Sequence, residues 1–191
     1  MSLLPATPGA KSLRDDGSVL GPVATARAAN SEQCRAEVRL VPLKIVQFLA
    51  LALTALALVP SGAHLFELPS KINLEAEPYF IIQNIYRGWS LFGIVLIGAL
   101  IANLALALLV RGRGAPFALA LFGSFCIALT LVIFFIWTYP ANQATNNWTM
   151  IPNDWEQLRR QWEYSHAVNA VITFAAFCSV AVSSLMARNE C

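Results

Sequence analysis

Four apolar stretches alternate with polar connectors along this chain: Pro42–Ala63, Trp89–Val110, Pro116–Trp137 and His166–Ala187. Each holds about 22 residues or slightly fewer, enough at 1.5 Å per residue to cross the roughly 30 Å hydrocarbon core of a bilayer as a helix. Lys44, near the entry of the first, is the only charge inside them. The runs lack the period-two alternation of barrel strands, and backbone amides in lipid must be satisfied within the segment, so helices are expected. The expected fold is all-α: a four-helix transmembrane bundle over residues 41–188 with an interfacial amphipathic helix. The expected address is an integral, multi-pass protein of the cytoplasmic or plasma membrane, in contact with the lipid bilayer.

Residues 1–40 differ in kind. Met1 to Asn30 mixes Pro5, Pro8, Gly9, Gly17, Gly21 and Pro22 with Ser, Ala and scattered charge, without apolar period. A disordered cytoplasmic tail is expected there. Sustained hydrophobicity starts only after Arg39, so the first span reads as an uncleaved anchor.

The connectors carry their own signals. Pro69 is expected to break the segment after His64, and Pro78 to start a helix that runs into the second span. Tyr139-Pro140-Ala141-Asn142 is expected to end the third span. After Pro152, Asn153 or Asp154 can cap a helix whose Trp155, Leu158 and Trp162 share one face, with Arg159, Arg160 and Gln161 on the other. That helix is expected to be interfacial and continuous with the fourth span. Asn147-Trp148-Thr149 matches a glycosylation sequon, a tripeptide common by chance.

Charge sets an orientation. Arg35, Arg39, Lys44, Arg111, Arg113 and Arg188 lie on one side, against Lys71, Arg87, Arg159 and Arg160 on the other. Both termini are therefore expected in the cytoplasm. A net charge of +2 without a dense basic cluster excludes a nucleic-acid partner. Cys34 and Cys191 fall at the cytoplasmic ends, and Cys126 and Cys178 mid-membrane, with no C-x-x-C. A disulfide-forming membrane enzyme is disfavoured on that count.

Two stripes of small and polar residues repeat at helical spacing. In the first span they are Gln47, Ala50, Thr54, Ala57, Ser61 and His64; in the fourth, His166, Asn169, Thr173, Ala176, Val180 and Ser183. Lipid favours neither small nor polar groups, so both stripes are expected to face the bundle interior. For most members close helix packing is sufficient explanation, and Asn103 reads as an interhelical hydrogen-bond donor.

The stripes end on the chain's only two histidines, each with a carboxylate one turn away: His64-x-x-Glu67 and Glu163-x-x-His166. Ionisable groups at a bundle's inner rim are functional candidates. The same four residues could work as an acid–base set, each carboxylate orienting its histidine, or supply ligands to a metal ion as Glu-x-x-His pairs do in helical bundles. A quinone is the other cofactor candidate. Against these stands a plain alternative, that His, Glu and Trp are ordinary residues of a helix mouth, and that Pro60 and Gly62 end the first helix before His64. Arg87 and Arg159 could bind an anionic substrate group or anchor the rim by snorkelling.

Tyr139-Pro140-Ala141-Asn142 together with Trp155-x-x-Leu158-Arg159-x-x-Trp162-x-x-x-His166 resembles the anthrone-oxygenase-like family of small integral membrane proteins. His64-Leu-Phe-Glu-Leu-Pro-x-Lys-Ile and Gln83-Asn-Ile-Tyr-Arg-Gly-Trp are similar to a bacterial branch of that family. The resemblance covers roughly residues 42–187. It implies four spans and, by its characterised branch, oxidation of polycyclic anthrones to anthraquinones by molecular oxygen without bound flavin or haem. It marks His166 and Asn142 as residues to test.

Two function classes follow. One is an enzyme oxidising a lipophilic anthrone-, phenol- or quinol-like substrate at the outer rim. His166 would be its base, Asn142 would orient the substrate, and Trp162 and Trp155 would stack on its ring. The other is a non-enzymatic accessory or assembly subunit that docks a partner membrane protein or a second copy of itself. A transporter is weaker, because there is no inverted repeat and no charge at mid-membrane.

Overall fold

The computed structural model describes residues 21–187, with side chains from Val41 onward. The chain divides into two units, Met1–Leu40 and Val41–Cys191. In the first, the expected tail lies outside the described residues as far as residue 20; from Gly21 the backbone is helical.

The described residues are helical, without a strand, and run as α1 (Gly21–Lys71), α2 (Ala76–Gln83), α3 (Phe92–Leu109), α4 (Ala115–Ile133), α5 (Tyr139–Ala144) and α6 (Trp155–Ala187). Four segments are long and apolar enough to cross a membrane: Val41–Lys71, Trp89–Leu109, Ala115–Ala144 and Trp155–Ala187. Their polarity is inverted relative to a water-soluble bundle. Phe48, Ile94, Phe125 and Leu185 are exposed, whereas Thr54, Asn103, Thr130 and Ser183 are buried. A surface of that kind suits lipid.

Both stripes face inward as expected. Gln47, Ala50, Thr54, Ala57 and His64 are buried on α1, and Asn169, Thr173, Ala176, Val180 and Ser183 on α6. Their polar atoms tie the bundle together. Asn103 Nδ2 donates to Thr54 Oγ1 at 3.1 Å, joining α3 to α1, and Ser183 Oγ donates to the Pro116 carbonyl at 2.7 Å, joining α6 to α4. Helices α4 and α6 pack tightly against each other at Gly123. A Cβ there would meet the Val180 side chain at 2.7 Å and the Ala176 carbonyl at 3.4 Å.

Proline proved a poor guide to the helix ends. α1 passes through Pro60, Gly62 and Pro69 and stops only at Lys71. A proline in a membrane helix is tolerated when nearby groups bond the backbone it disturbs, and Ser61 Oγ donates to the Ala57 carbonyl at 3.4 Å. The third span likewise continues past Pro140. A π-helical turn at Phe134–Thr138 widens the helix and accommodates the missing N–H, leading directly into α5. The second span, by contrast, is not continuous with α2. A 3₁₀ turn at Asn84–Tyr86 is followed by Gly88 at φ 89°, a left-handed conformation that glycine adopts without strain.

Helix length places the histidines. From Val41 to His64 α1 rises roughly 35 Å, and from His166 to Ala187 α6 covers roughly 32 Å. Each length is enough to cross a hydrocarbon core of roughly 30 Å, and the two imidazoles stand together at one end of it, the rim of the bundle. The first eleven residues of α6 extend past His166 at that end.

Candidate functional site

At this rim the two histidines meet. Their ring centroids lie 4.2 Å apart with planes inclined by 33°. His64 is buried and His166 partly so. Trp162, one turn before His166, sets its indole edge-on to both rings, at 4.7 Å from His64 and 4.3 Å from His166. Tyr86 and Trp89, brought back by the Gly88 turn, complete an aromatic wall at 4.4 and 5.7 Å from His64.

Next to these rings lies a buried chain of polar groups. Lys71 Nζ is 3.0 Å from Glu163 Oε1 and 3.7 Å from Glu67 Oε2, and it donates to the Tyr86 hydroxyl at 2.7 Å. The Tyr86 hydroxyl in turn donates a hydrogen bond to Glu67 Oε2. On the other side, the Tyr79 hydroxyl donates to Glu163 Oε1 at 2.9 Å and accepts from Gln83 Nε2. Glu163 and Lys71 are removed from solvent almost completely, at 0% and 3% exposure, so each is tolerable only because the other is present. Burial and the Glu163 charge push the Tyr79 hydroxyl pKa well above the ordinary tyrosine range. Burial and the hydrogen bond to Glu67 do the same for Tyr86.

The expected carboxylate–histidine pairs do not form. Among the described residues neither Glu67 nor Glu163 bonds the histidine one turn away; both turn to Lys71, whose positive charge outcompetes a neutral imidazole. His64 Nδ1 is left buried without a partner. No group of three or more His, Cys, Asp or Glu side chains among the described residues is arranged to hold a metal ion. With both carboxylates committed to Lys71 and the tyrosines, the set of His64, Glu67, Glu163 and His166 does not fit a metal centre.

The remaining candidates divide. Asn142 lies beside the site, but its Oδ1 is occupied by two indoles, accepting from Trp162 Nε1 at 2.8 Å and Trp148 Nε1 at 3.0 Å. It fixes Trp162 rather than presenting a free amide oxygen. Three consecutive left-handed residues, Asn146, Asn147 and Trp148, turn the chain so that the Trp148 indole reaches Asn142. Such conformations cost on the order of 1–3 kcal/mol each for residues other than glycine, and here Thr145 Oγ1 braces the turn by accepting from Trp148 N. The sequon falls on this turn.

Arg159 faces inward, not outward. Its guanidinium lies over Trp155 at 4.6 Å and Tyr79 at 5.5 Å and donates to the Leu74 carbonyl, because the planar cation gains more from stacking and a buried carbonyl than from water. Trp155 packs against Tyr79 and Phe80, in the same apolar cluster as Trp162 and Tyr86, rather than against either histidine. Arg87 is exposed, and its guanidinium donates to Asn84 Oδ1 at 3.0 Å. Asn169, one turn along α6 from His166, donates to the Thr130 carbonyl at 3.4 Å.

Sequence reasoning passed over Lys71, Tyr79, Gln83 and Tyr86. Lys71 was legible: it continues the Ala50, Ala57, His64 series one heptad further, once Pro69 is not taken as a break. The other three reach the site through turns whose geometry has no comparable pattern. No family model, curated protein or solved structure matches the chain.

Proposed function

We propose that this membrane protein is an oxidoreductase acting on a lipophilic aromatic with an acidified C–H or O–H bond, of the anthrone or quinol type, with molecular oxygen as oxidant. The observation that carries the reading is the His64–His166 contact inside a wall of Trp162, Tyr86 and Trp89. Neutral imidazoles accept protons, and an aromatic lining at the hydrocarbon edge suits a flat substrate delivered from the bilayer.

His166, the more open of the two, would remove a proton from the activated methylene of an anthrone. The resulting electron-rich anion reduces oxygen and forms a C–O bond to it, the peroxide anion so made takes the proton back from His166, and His166 then removes the second C–H proton as the O–O bond breaks to leave the ketone and hydroxide. One oxygen molecule and two methylene hydrogens thus become one carbonyl oxygen and one water, and the proton held by His166 returns to the departing hydroxide. The Lys71 ammonium lies alongside to offset the transient negative charge. No metal, flavin or haem enters this scheme. The resemblance to the anthrone-oxygenase-like family and an orientation placing the histidine rim outside the cytoplasm belong to the same proposal.

Oxygen uptake by proteoliposomes supplied with anthrone is the test. Uptake above the spontaneous rate, lost by tenfold or more in His166→Ala, is expected for a base contributing about 10²–10⁴-fold. Uptake no faster than protein-free vesicles across anthrone and quinol substrates refutes the enzyme and leaves the accessory-subunit reading.

A further inference from the structure

The hydrogen bonds at the rim can be followed proton by proton. Tyr79 has one hydroxyl proton, given to Glu163, so the group bonding its oxygen from Gln83 must be the amide NH₂. That orientation leaves Gln83 Oε1 facing no donor. Lys71 directs its ammonium at Glu163, Tyr86 and Glu67, and Tyr86 in turn bonds Glu67, so these donors are all engaged. What remains unbonded in the chain is Glu163 Oε2 and Gln83 Oε1, both acceptors. Glu163 is 0% exposed and Gln83 5%, so water at the surface does not satisfy them. His64 Nδ1, beside the Tyr86 ring, is likewise buried and unbonded among the described residues. Arg159 Nε also lacks a partner, but its guanidinium is stacked on Trp155 and Tyr79 and bonds Leu74, outside this chain of bonds.

Buried acceptors without donors are costly, the more so for a carboxylate oxygen, and a ligand that brings protons relieves that cost. From this the geometry points to a site built for a hydroxyl-bearing, reduced aromatic (a hydroquinone or dihydroxyarene) over its quinone. Hydroxyl groups donate to Glu163 Oε2 and Gln83 Oε1 while the ring lies against Trp162 and Tyr86. A quinone of the same size has only acceptors to offer and meets like with like. The inference rests on the proposed function for the identity of the site, and it adds a direction: the reduced substrate is held and the oxidised product, stripped of its hydroxyl protons, is let go. Entry is from the rim, where Tyr86, Trp89 and His166 are only partly buried.

The test is anaerobic binding to the full chain in nanodiscs, by calorimetry, of 1,4-dihydroxynaphthalene, 1,4-naphthoquinone and 1,4-dimethoxynaphthalene. The dihydroxy compound is expected to bind about tenfold or more tightly than either of the others, since a hydrogen bond to a charged group is worth at least that factor. Gln83→Met, which removes the free amide oxygen with little change of volume, should cut the preference several-fold. Glu163→Gln should cut it further, and the helical content of both variants is checked by circular dichroism. Equal affinity for the three compounds, or a preference unchanged in the well-folded Gln83→Met protein, overturns the inference. Diol preference without oxygen uptake would sustain this inference while refuting the oxidase, and oxygen uptake with equal affinities would do the reverse.

Discussion

Lys71 at the end of the first span and Glu163 near the start of the last place their charges 3.0 Å apart in a part of the molecule that water scarcely reaches. The pair locks α1 to α6 just where the two histidines touch. Removing one partner strands the other charge, at a cost of about 3–5 kcal/mol. Lys71→Met and Glu163→Leu are therefore each expected to lower the thermal midpoint in detergent sharply. The double variant should recover most of the loss, because an apolar pair no longer carries a buried charge. Single variants within about 1 kcal/mol of the wild type, the range of exposed pairs, would show that the contact does not hold in solution.

Tyr79 and Tyr86 carry hydroxyl groups whose pKa burial and neighbouring carboxylates raise above the ordinary value near 10. The folded state thus binds these protons more tightly than the unfolded chain does. Their contribution to stability is complete below about pH 10 and is lost as pH rises beyond it. Unfolding midpoints of the wild type should fall steeply above that pH, and the slope should flatten in Tyr79→Phe. Tyrosinate absorbance arising from Tyr79 before any unfolding would contradict the buried hydrogen-bonded arrangement.

Asn142 accepts from two indoles at once, so Asn142→Ala leaves two buried N–H groups unpaired. A destabilisation of about 2–4 kcal/mol is expected at 1–3 kcal/mol for each unsatisfied group. Trp162 should lose its fixed position, seen as a shift of tryptophan emission and a rise in its quenching by acrylamide. Activity should fall with it, since Trp162 flanks both imidazoles. Asn142→Asp, which keeps the accepting oxygen, is expected to retain the emission spectrum better than Asn142→Ala.

Gly123 sits where α4 packs on α6, and a methyl group there would collide with Val180. Gly123→Ala is expected to cost about 1–3 kcal/mol, the usual range for overpacking a tight site. Gly123→Ala combined with Val180→Ala should relieve it. An undisturbed midpoint in Gly123→Ala would mean that the helices are further apart than described.

Periodicity carried most of the fold. The four spans and the inward direction of both stripes followed from where small and polar residues recur, because in lipid every such residue needs an interior partner. Helix ends were less legible. Pro60 and Pro140 would break a helix in water, whereas here a serine bond beside Pro60 and a π-turn before Pro140 let each helix continue, and α1 also runs through Pro69. At the site, the meeting of His64 and His166 was legible as the convergence of two stripes. Their electrostatics were not. One-turn spacing suggested that each carboxylate serves its own histidine, but Lys71, a full charge arriving from the next heptad, takes both. Arg159 was misplaced for a related reason: a simple two-faced helix ignores α2, which supplies Tyr79 as a stacking partner and encloses that side.

The claim on which the rest depends is that the paired imidazoles act as a base toward a substrate dissolved in the membrane. It can be tested without oxygen, by following exchange of the anthrone methylene hydrogens for deuterium in anaerobic D₂O with the protein in nanodiscs. The wild type should accelerate exchange well above the protein-free rate, with His166→Ala abolishing the acceleration and His64→Ala reducing it. Exchange at the protein-free rate, or acceleration that survives both substitutions, would contradict the account.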